Sequence, residues 1–138
     1  MIDITRLISG SKISFFLRDI LKKIYKNKFN VIAYSNVPVT EQDTMSLELK
    51  KIFNEWEDIY PLNDGEARKI IIDKQTDILV DLAGFTLGNR INLFKTRSAP
   101  IQISWLGYCN TLGIKNMDYI IADKNLIKQN EKNLYSEK

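Results

Sequence analysis

DILVDLAGFTLGNRINLFKTRSAPIQISWLGYCNTLGIKNMDYIIAD, residues 77–123, is the stretch that decides the architecture. It opens on a short apolar run, Ile78-Leu79-Val80, of the length and composition of a strand buried on both faces. A loop with two glycines, Gly84 and Gly88, follows at once, and glycine permits backbone approaches that a Cβ forbids. Asn89 is a fair N-cap for a short helix carrying Ile91, Leu93 and Phe94, and Ala99-Pro100 ends that region. A second buried strand, 101–105, delivers a second glycine loop, 106–113. A third apolar run, 119–122, closes the stretch. Three strands that each end in a polar or glycine-bearing loop describe one rim of a parallel sheet. In open α/β sheets, ligands bind at that rim.

Outward from this stretch, the same alternation continues toward the N-terminus. Residues 2–8 form a strand candidate. From Ile13 to Asn27 the apolar residues Ile13, Phe16, Leu17, Ile20, Leu21 and Ile24 recur at helical spacing, with lysines on the opposite side. Residues 29–35 (FNVIAYS) are β-branched and aromatic and read as a strand. Thr40 and Asp43 are cap candidates for a helix reaching Asn54, with Leu49, Ile52, Phe53 and Trp56 inward. Asp58-Ile59-Tyr60 reads as a strand, residues 61–65 as a turn, and 66–74 as a helix with Ala67, Ile70 and Ile71 inward. Residues after Asn125 are polar and show no core pattern. The expected fold is α/β: an open parallel Rossmann-like sheet with right-handed crossovers and helices on both faces.

Composition narrows the function classes. The chain has 138 residues, enough for one domain that buries roughly 70% of its unfolded surface. Its net charge of +3 is mild and mixed along the chain, which argues against nucleic acid as a partner. Apolar runs stay far below the about 20 residues needed to span a bilayer, and no signal peptide is visible. One cysteine, Cys109, excludes an internal disulfide and fits a reducing, cytoplasmic compartment. Histidine is absent, which removes His-based triads and His-ligated metals. No G-x-G-x-x-G follows the first strand, so the dinucleotide-binding fingerprint fails.

The 77–123 stretch resembles the catalytic region of the O-linked N-acetylglucosamine transferases, the SPINDLY-like group. The matching residues are Asp77 to Leu82, Gly84, Thr86, Gly88, Arg90 and Phe94, then Arg97, Ala99, Pro100 and Gln102. They continue through Trp105-Leu106-Gly107-Tyr108, Thr111, Gly113 and Met117-Asp118-Tyr119. The resemblance implies a protein glycosyltransferase that moves N-acetylglucosamine from UDP-GlcNAc to Ser or Thr hydroxyls of an acceptor protein. It implies one lobe, residues 1–138, of a two-lobe catalytic unit of GT-B type, with the second lobe outside this sequence. The family works without a bound metal or other cofactor, the nucleotide sugar being a substrate, and it commonly follows tetratricopeptide repeats. A separate second lobe or a repeat-bearing partner is therefore expected, as is inactivity of the lobe alone. The alternative is a non-catalytic binding or scaffold module of the same ancestry.

By the same resemblance, Leu106 and Gly107 line the sugar pocket, Thr86, Asn89 and Arg90 sit in the adjacent loop, and Tyr108 stands at its mouth. Arg90 offers fixed donors to a phosphate or an acceptor backbone, or else pairs with a nearby carboxylate. Asp81, Asp118 and Asp123 end strands, where carboxylates more often bond loop amides than act as bases. Two departures bear on catalysis. The family's histidine after the first strand falls at Ser11 or at a deletion beside it, and Phe85 stands where histidine or tyrosine is usual. Cys109 replaces a proline and reads as a small apolar filler.

Overall fold

Asp43 and Asn63 set the two best-defined helix starts, each by accepting an amide three residues on. Asp43 takes Ser46 N at 2.9 Å, and Asn63 takes Glu66 N at 3.0 Å while Glu66 returns the bond to Asn63 N at 2.9 Å. The computed structural model describes residues 2–5, 12–24 and 28–138, with side chains described from residue 13 onward. Six strands, β1 (Ile2–Thr5), β2 (Val31–Ser35), β3 (Glu55–Asp58), β4 (Ile78–Asp81), β5 (Ile101–Trp105) and β6 (Tyr119–Ile121), alternate with helices. The helices are α1 (Lys12–Leu21), α2 (Thr44–Ile52), α3 (Asp64–Asp73) and α4 (Asn92–Lys95).

All neighbouring strands pair in parallel, in the order β3-β2-β1-β4-β5-β6. That is the doubly wound order, whose direction reverses between β1 and β4. Period-two alternation sends Val31, Ala33, Val80 and Leu82 to one face, under Leu17 and Leu21 of α1 and Met45 and Leu49 of α2. Ile32, Tyr34 and Leu79 go to the other face, under Ala67 and Ile71 of α3 and Leu93 and Phe94 beside α4. Helices on both faces of a parallel sheet are what the sequence predicts. Because every strand runs the same way, the loops after β2, β4 and β5 share one rim.

Gln102 is the polar hub beneath that rim. It is fully buried on β5, where its amide donates to Phe94 O (3.1 Å) and Asn116 O (2.7 Å) and accepts from Ser98 N (2.9 Å). Every capacity it brings inside is used but one lone pair, so its burial carries no large desolvation penalty.

Several expectations need correction. The third strand is Glu55–Asp58, not 58–60, and α2 stops at Ile52. Trp56 is therefore a strand residue paired with Ala33 rather than a helix residue. β3 is an edge strand whose carboxylates meet lysines: Glu55 and Glu57 pair with Lys74, the latter at 2.9 Å, and Asp58 with Lys50 at 3.6 Å. Its own composition hides it. Helix α1 ends at Leu21, and Phe16 and Ile20 are exposed rather than inward. Helix α3 begins at Asp64, and α4 begins at Asn92, after Asn89 has formed its own turn. The first strand is described to Thr5, and the expected residues 6–8, like Ser11, lie outside the described residues. β5 is less fully covered on one face, where Ile101 is exposed and Ile103 and Trp105 are half-buried against the α1 and α2 cluster.

The polar tail is not coreless either. Glu137 is buried, accepting Leu112 N and Thr111 Oγ1, both at 2.7 Å. Lys138 then joins β6: Ile120 N donates to Lys138 O (3.2 Å), and Lys138 N donates to Asp118 O (3.0 Å).

Candidate functional site

The rim is built by two loops pressed together at their glycines. After β4, Asp81 turns back to accept Ala83 N (3.0 Å) and Gly84 N (2.6 Å), which commits its buried carboxylate to the loop. Gly84 has φ +56°, and a Cβ there would lie 2.2 Å from Cβ of Tyr108. After β5, a Cβ on Gly107 would lie 1.7 Å from the carbonyl oxygen of Leu82. Neither loop can carry a side chain at its contact, so each holds the other in place. Phe85 seals the join, edge-on to Tyr108 at 5.7 Å and 89°.

Leu106 is the strained residue of the rim. Its φ is +71°, and Gly107 N donates to Trp105 O at 2.9 Å across it, the geometry of a γ-turn with a left-handed centre. A leucine in that region costs about 1–2 kcal/mol, and such residues gather where a site needs a particular orientation. Leu106 is 37% exposed and borders an open cavity of about 320 Å³. Trp105, Tyr108, Ile121, Asp123 and Leu126 complete its wall. A second hollow of about 340 Å³ lies beside β6, between Ile120, Ile127 and Tyr135, away from the glycine loops. The smaller cavity is the better candidate, because Leu106 and Tyr108 of the loop after β5 line it.

The expected site residues lie along this rim without all meeting. Leu106, Gly107 and Tyr108 stand together at the β5 end. Thr86 donates to Ala83 O (2.8 Å), and Asn89 both donates to Thr86 O (2.8 Å) and accepts Ile91 N (3.1 Å). Those two side chains shape the loop itself. Arg90 is at the far end: Nε lies 2.8 Å from Asp64 Oδ1, and Nη1 donates to Asn36 Oδ1 (3.2 Å) and Ile59 O (3.4 Å). β2 and β5 are three positions apart, roughly 14 Å at strand spacing. Its guanidinium, 13% exposed, is a brace between the loops after β2 and β3 and the start of α3, which is the carboxylate-pairing reading. Its Nη2 meets no partner among the described residues.

The other acids are likewise engaged. Asp123 accepts Asn125 N (2.8 Å) and Leu126 N (2.9 Å). Asp118 sits at the start of β6, on the opposite edge, where the Arg97 guanidinium holds its carboxyl below the usual range against the effect of burial. Cys109 is exposed, so it is not the packed filler that its replacement of proline suggests. Among the described residues no three acidic or cysteine side chains converge on a metal-sized site, and no helix is long and apolar enough to cross a membrane.

Sequence reasoning missed Asn36 and the cavity wall. Asn36 directly follows β2 and donates to Gly88 O at 2.9 Å, tying the β2 and β4 loops together. Its place at a strand's C-terminal end marks it as a rim residue once the sheet is read as parallel. Ile121 and Leu126 carried no comparable signal.

The profile of glycosyl transferase family 41 matches residues 9–138. The chain belongs to that family. A protein of Oryza sativa subsp. japonica named probable UDP-N-acetylglucosamine–peptide N-acetylglucosaminyltransferase SPINDLY is 33% identical over 113 residues. That match covers 80% of this chain and 12% of the rice protein. The Caenorhabditis elegans UDP-N-acetylglucosamine–peptide N-acetylglucosaminyltransferase is 42% identical over 77 residues, 53% of this chain and 7% of that one. Among solved structures, a mutant Thermobaculum terrenum O-GlcNAc transferase superposes with a TM-score of 0.91 at 29% identity. It covers 99% of this family 41 chain, which spans 26% of the bacterial one. The chain thus corresponds to a small part of its matched relatives, and its α/β sheet is the fold of that part.

Proposed function

We propose that this chain forms one lobe of a UDP-GlcNAc-dependent protein glycosyltransferase, presenting the wall that holds the sugar, and that it does not complete transfer by itself. The observation that carries the reading is Leu106, held in a left-handed turn beside Gly107 over the rim cavity. A sugar ring needs close-approaching backbone and a shaped apolar edge, and this corner supplies both. Thr86, Asn89 and Tyr108 would contribute the loop surface around it, and Arg90 would act by holding that loop to β2.

Among the described residues, the loops after β4 and β5 lack the other requirements of the reaction. Residues 82–89 and 105–113 contain no charged side chain, so nothing there balances a departing diphosphate. Asp81 and Asp123 are occupied by amides, so neither is a ready acceptor for the hydroxyl proton. Those roles fall to a second lobe, and the acceptor is a protein carrying Ser or Thr. A tetratricopeptide-repeat partner and a cytoplasmic setting accord with the relatives' family and with the free thiol of Cys109. The Phe85–Tyr108 contact, an apolar seal where the family places a polar ring, favours a second reading as a binding module without catalysis.

Calorimetric titration with UDP-GlcNAc, paired with transfer of labelled sugar to a Ser/Thr peptide, tests this. The chain alone should bind weakly, in the millimolar range, and transfer nothing. Adding a separately expressed family 41 second lobe should produce transfer. Donor binding without transfer in that mixture would support the binding-module reading, and transfer by the chain alone would overturn the proposal.

A further inference from the structure

The loop after β5 is held at two ends, and the two holds differ in kind. Its first half, Leu106 to Tyr108, is trapped by packing against the loop after β4. Its second half, Cys109 to Gly113, has no proline to fix its own backbone and is exposed at Cys109 and Asn110. That half is held from outside, by residues 135–137. Tyr135 Oη donates to Cys109 O (3.4 Å), Ser136 N to Thr111 Oγ1 (3.3 Å), and Leu112 N to Glu137 Oε1 (2.7 Å). Thr111 is the hub of the contact. Its hydroxyl donates to Glu137 Oε2 (2.7 Å), lies 3.0 Å from Ser136 Oγ and accepts Gly113 N (3.2 Å).

Glu137 makes this contact more than a tether. Its carboxylate is buried, and its partners are an amide and two hydroxyls rather than a cation. A buried carboxylate is tolerated only while such donors surround it. Hydrogen bonds to an ionised acceptor are also roughly twice as strong as neutral ones. Opening the loop strips the carboxylate of its donors, and lifting the tail strips the Leu112 amide of its acceptor. The two segments therefore keep or lose their shape together. Behind them, Leu112, Ile114 and Met117 lie in the core cluster against which Tyr108 packs. The tail is fixed in turn to β6, where Lys138 N donates to Asp118 O and Ile120 N to Lys138 O.

Strain shows what the hold is for. Leu106 sits at φ +71°, and a residue in that region persists only where its surroundings over-determine it. The glycine contacts brace its turn from the β4 side, and Glu137 braces the same loop from the β6 side. We propose that Glu137 is a positioning residue for the sugar: through Thr111 and Leu112 it sets the loop in the shape that presents Leu106 and Tyr108 to the cavity. Glu137 itself faces the hollow beside β6, not the cavity that Leu106 and Tyr108 line, so it acts through the loop. The identity of the sugar rests on the UDP-GlcNAc reading above; the clamp itself does not.

The test compares Glu137→Ala, Glu137→Gln and Thr111→Val with the parent by amide hydrogen exchange and by NMR titration with UDP-GlcNAc. Glutamine keeps the shape of the clamp, its carbonyl able to accept Leu112 N and its NH2 group to donate to Thr111 Oγ1. Glu137→Ala and Thr111→Val should each speed exchange across 106–113 and weaken UDP-GlcNAc binding about tenfold, the worth of one hydrogen bond to a charged group. Protection of β2 and β4 should stay at the parent's level, and Glu137→Gln should keep the parent's affinity within about twofold. Leu49→Ala, a core truncation on the opposite face of the sheet, should leave the affinity of the folded chain unchanged. Equal affinity in the parent, Glu137→Ala and Thr111→Val would overturn the positioning role. A loss just as large in Leu49→Ala would overturn it too, by reducing Glu137 to a contribution to stability. Should Glu137→Ala fail to fold, Thr111→Val decides alone. A parent that binds no UDP-GlcNAc would overturn the donor-binding reading, and exchange across 106–113 would then decide the clamp, rates equal to the parent's overturning it.

Discussion

The carbonyl oxygen of Leu82 stands where a side chain on Gly107 would begin: a Cβ there would lie 1.7 Å from the oxygen and 2.7 Å from its carbon. The contact is backbone against backbone, so no rotamer change can relieve it. Gly107→Ala should cost about 3 kcal/mol or more, at or beyond the upper end of overpacking. Urea denaturation measures this, and a loss under about 1 kcal/mol would mean that the two loops are not pressed together as described.

Leu106 yields an inverted order of substitutions. Glycine adopts φ +71° without strain, whereas a β-branched residue there suffers more than leucine does. Leu106→Gly should remain within about 1 kcal/mol of the parent, and Leu106→Val, though closer in size, should be the less stable of the two. Melting temperatures of the pair settle the order. Weaker UDP-GlcNAc binding by Leu106→Gly is expected alongside, since the cavity loses part of its wall.

Much of this fold was legible because βαβ units announce themselves. The apolar runs at Ile78 and Ile101 and the glycines after each strand are local signals, and the parallel order follows from them. β3 was not legible. Glu-Trp-Glu-Asp becomes a strand because Ile32 to Ser35 offer it a ladder, a fact located 23 residues away. Phe16 belongs to the same apolar helical pattern as buried Leu17, yet it is exposed, because spacing alone does not say which flank of a helix the sheet covers. The glycine positions of the site could be read, but not what each glycine touches. Arg90 was ambiguous for a similar reason: its partner Asn36 lies 54 residues away in sequence.

Leu79 tests the core between the sheet and α3. It is fully buried at the middle of β4. Leu79→Ala should cost about 2–5 kcal/mol by denaturant titration. A value near zero would mean that this face is not packed.

Glu137 links stability to pH. Burial alone pushes its carboxyl up, but the Thr111 hydroxyl, the Leu112 amide, its own amide and the Ser136 hydroxyl outweigh that and hold it below the ordinary glutamate value. The folded form therefore binds its proton less readily than the unfolded chain. The resulting stabilisation is complete above the unfolded pKa of about 4.3 and disappears as pH falls through the folded value. Urea midpoints measured from about pH 6 down to about pH 3 should fall more steeply for the parent than for Glu137→Gln. Parallel curves would show that Glu137 contributes nothing to the acid limb.

At the other end of the sheet, β3 presents an open row of backbone donors and acceptors, the kind of edge on which foreign strands assemble into fibrils. Glu55, Glu57 and Asp58 and their lysine partners line that edge with charge, so an incoming strand would have to bury ions to dock. Because its bond to Lys74 keeps the Glu55 carboxyl ionised below its ordinary range, the guard persists into mildly acidic solution. A foreign strand is thus turned away from the edge of the lobe on which it could pair.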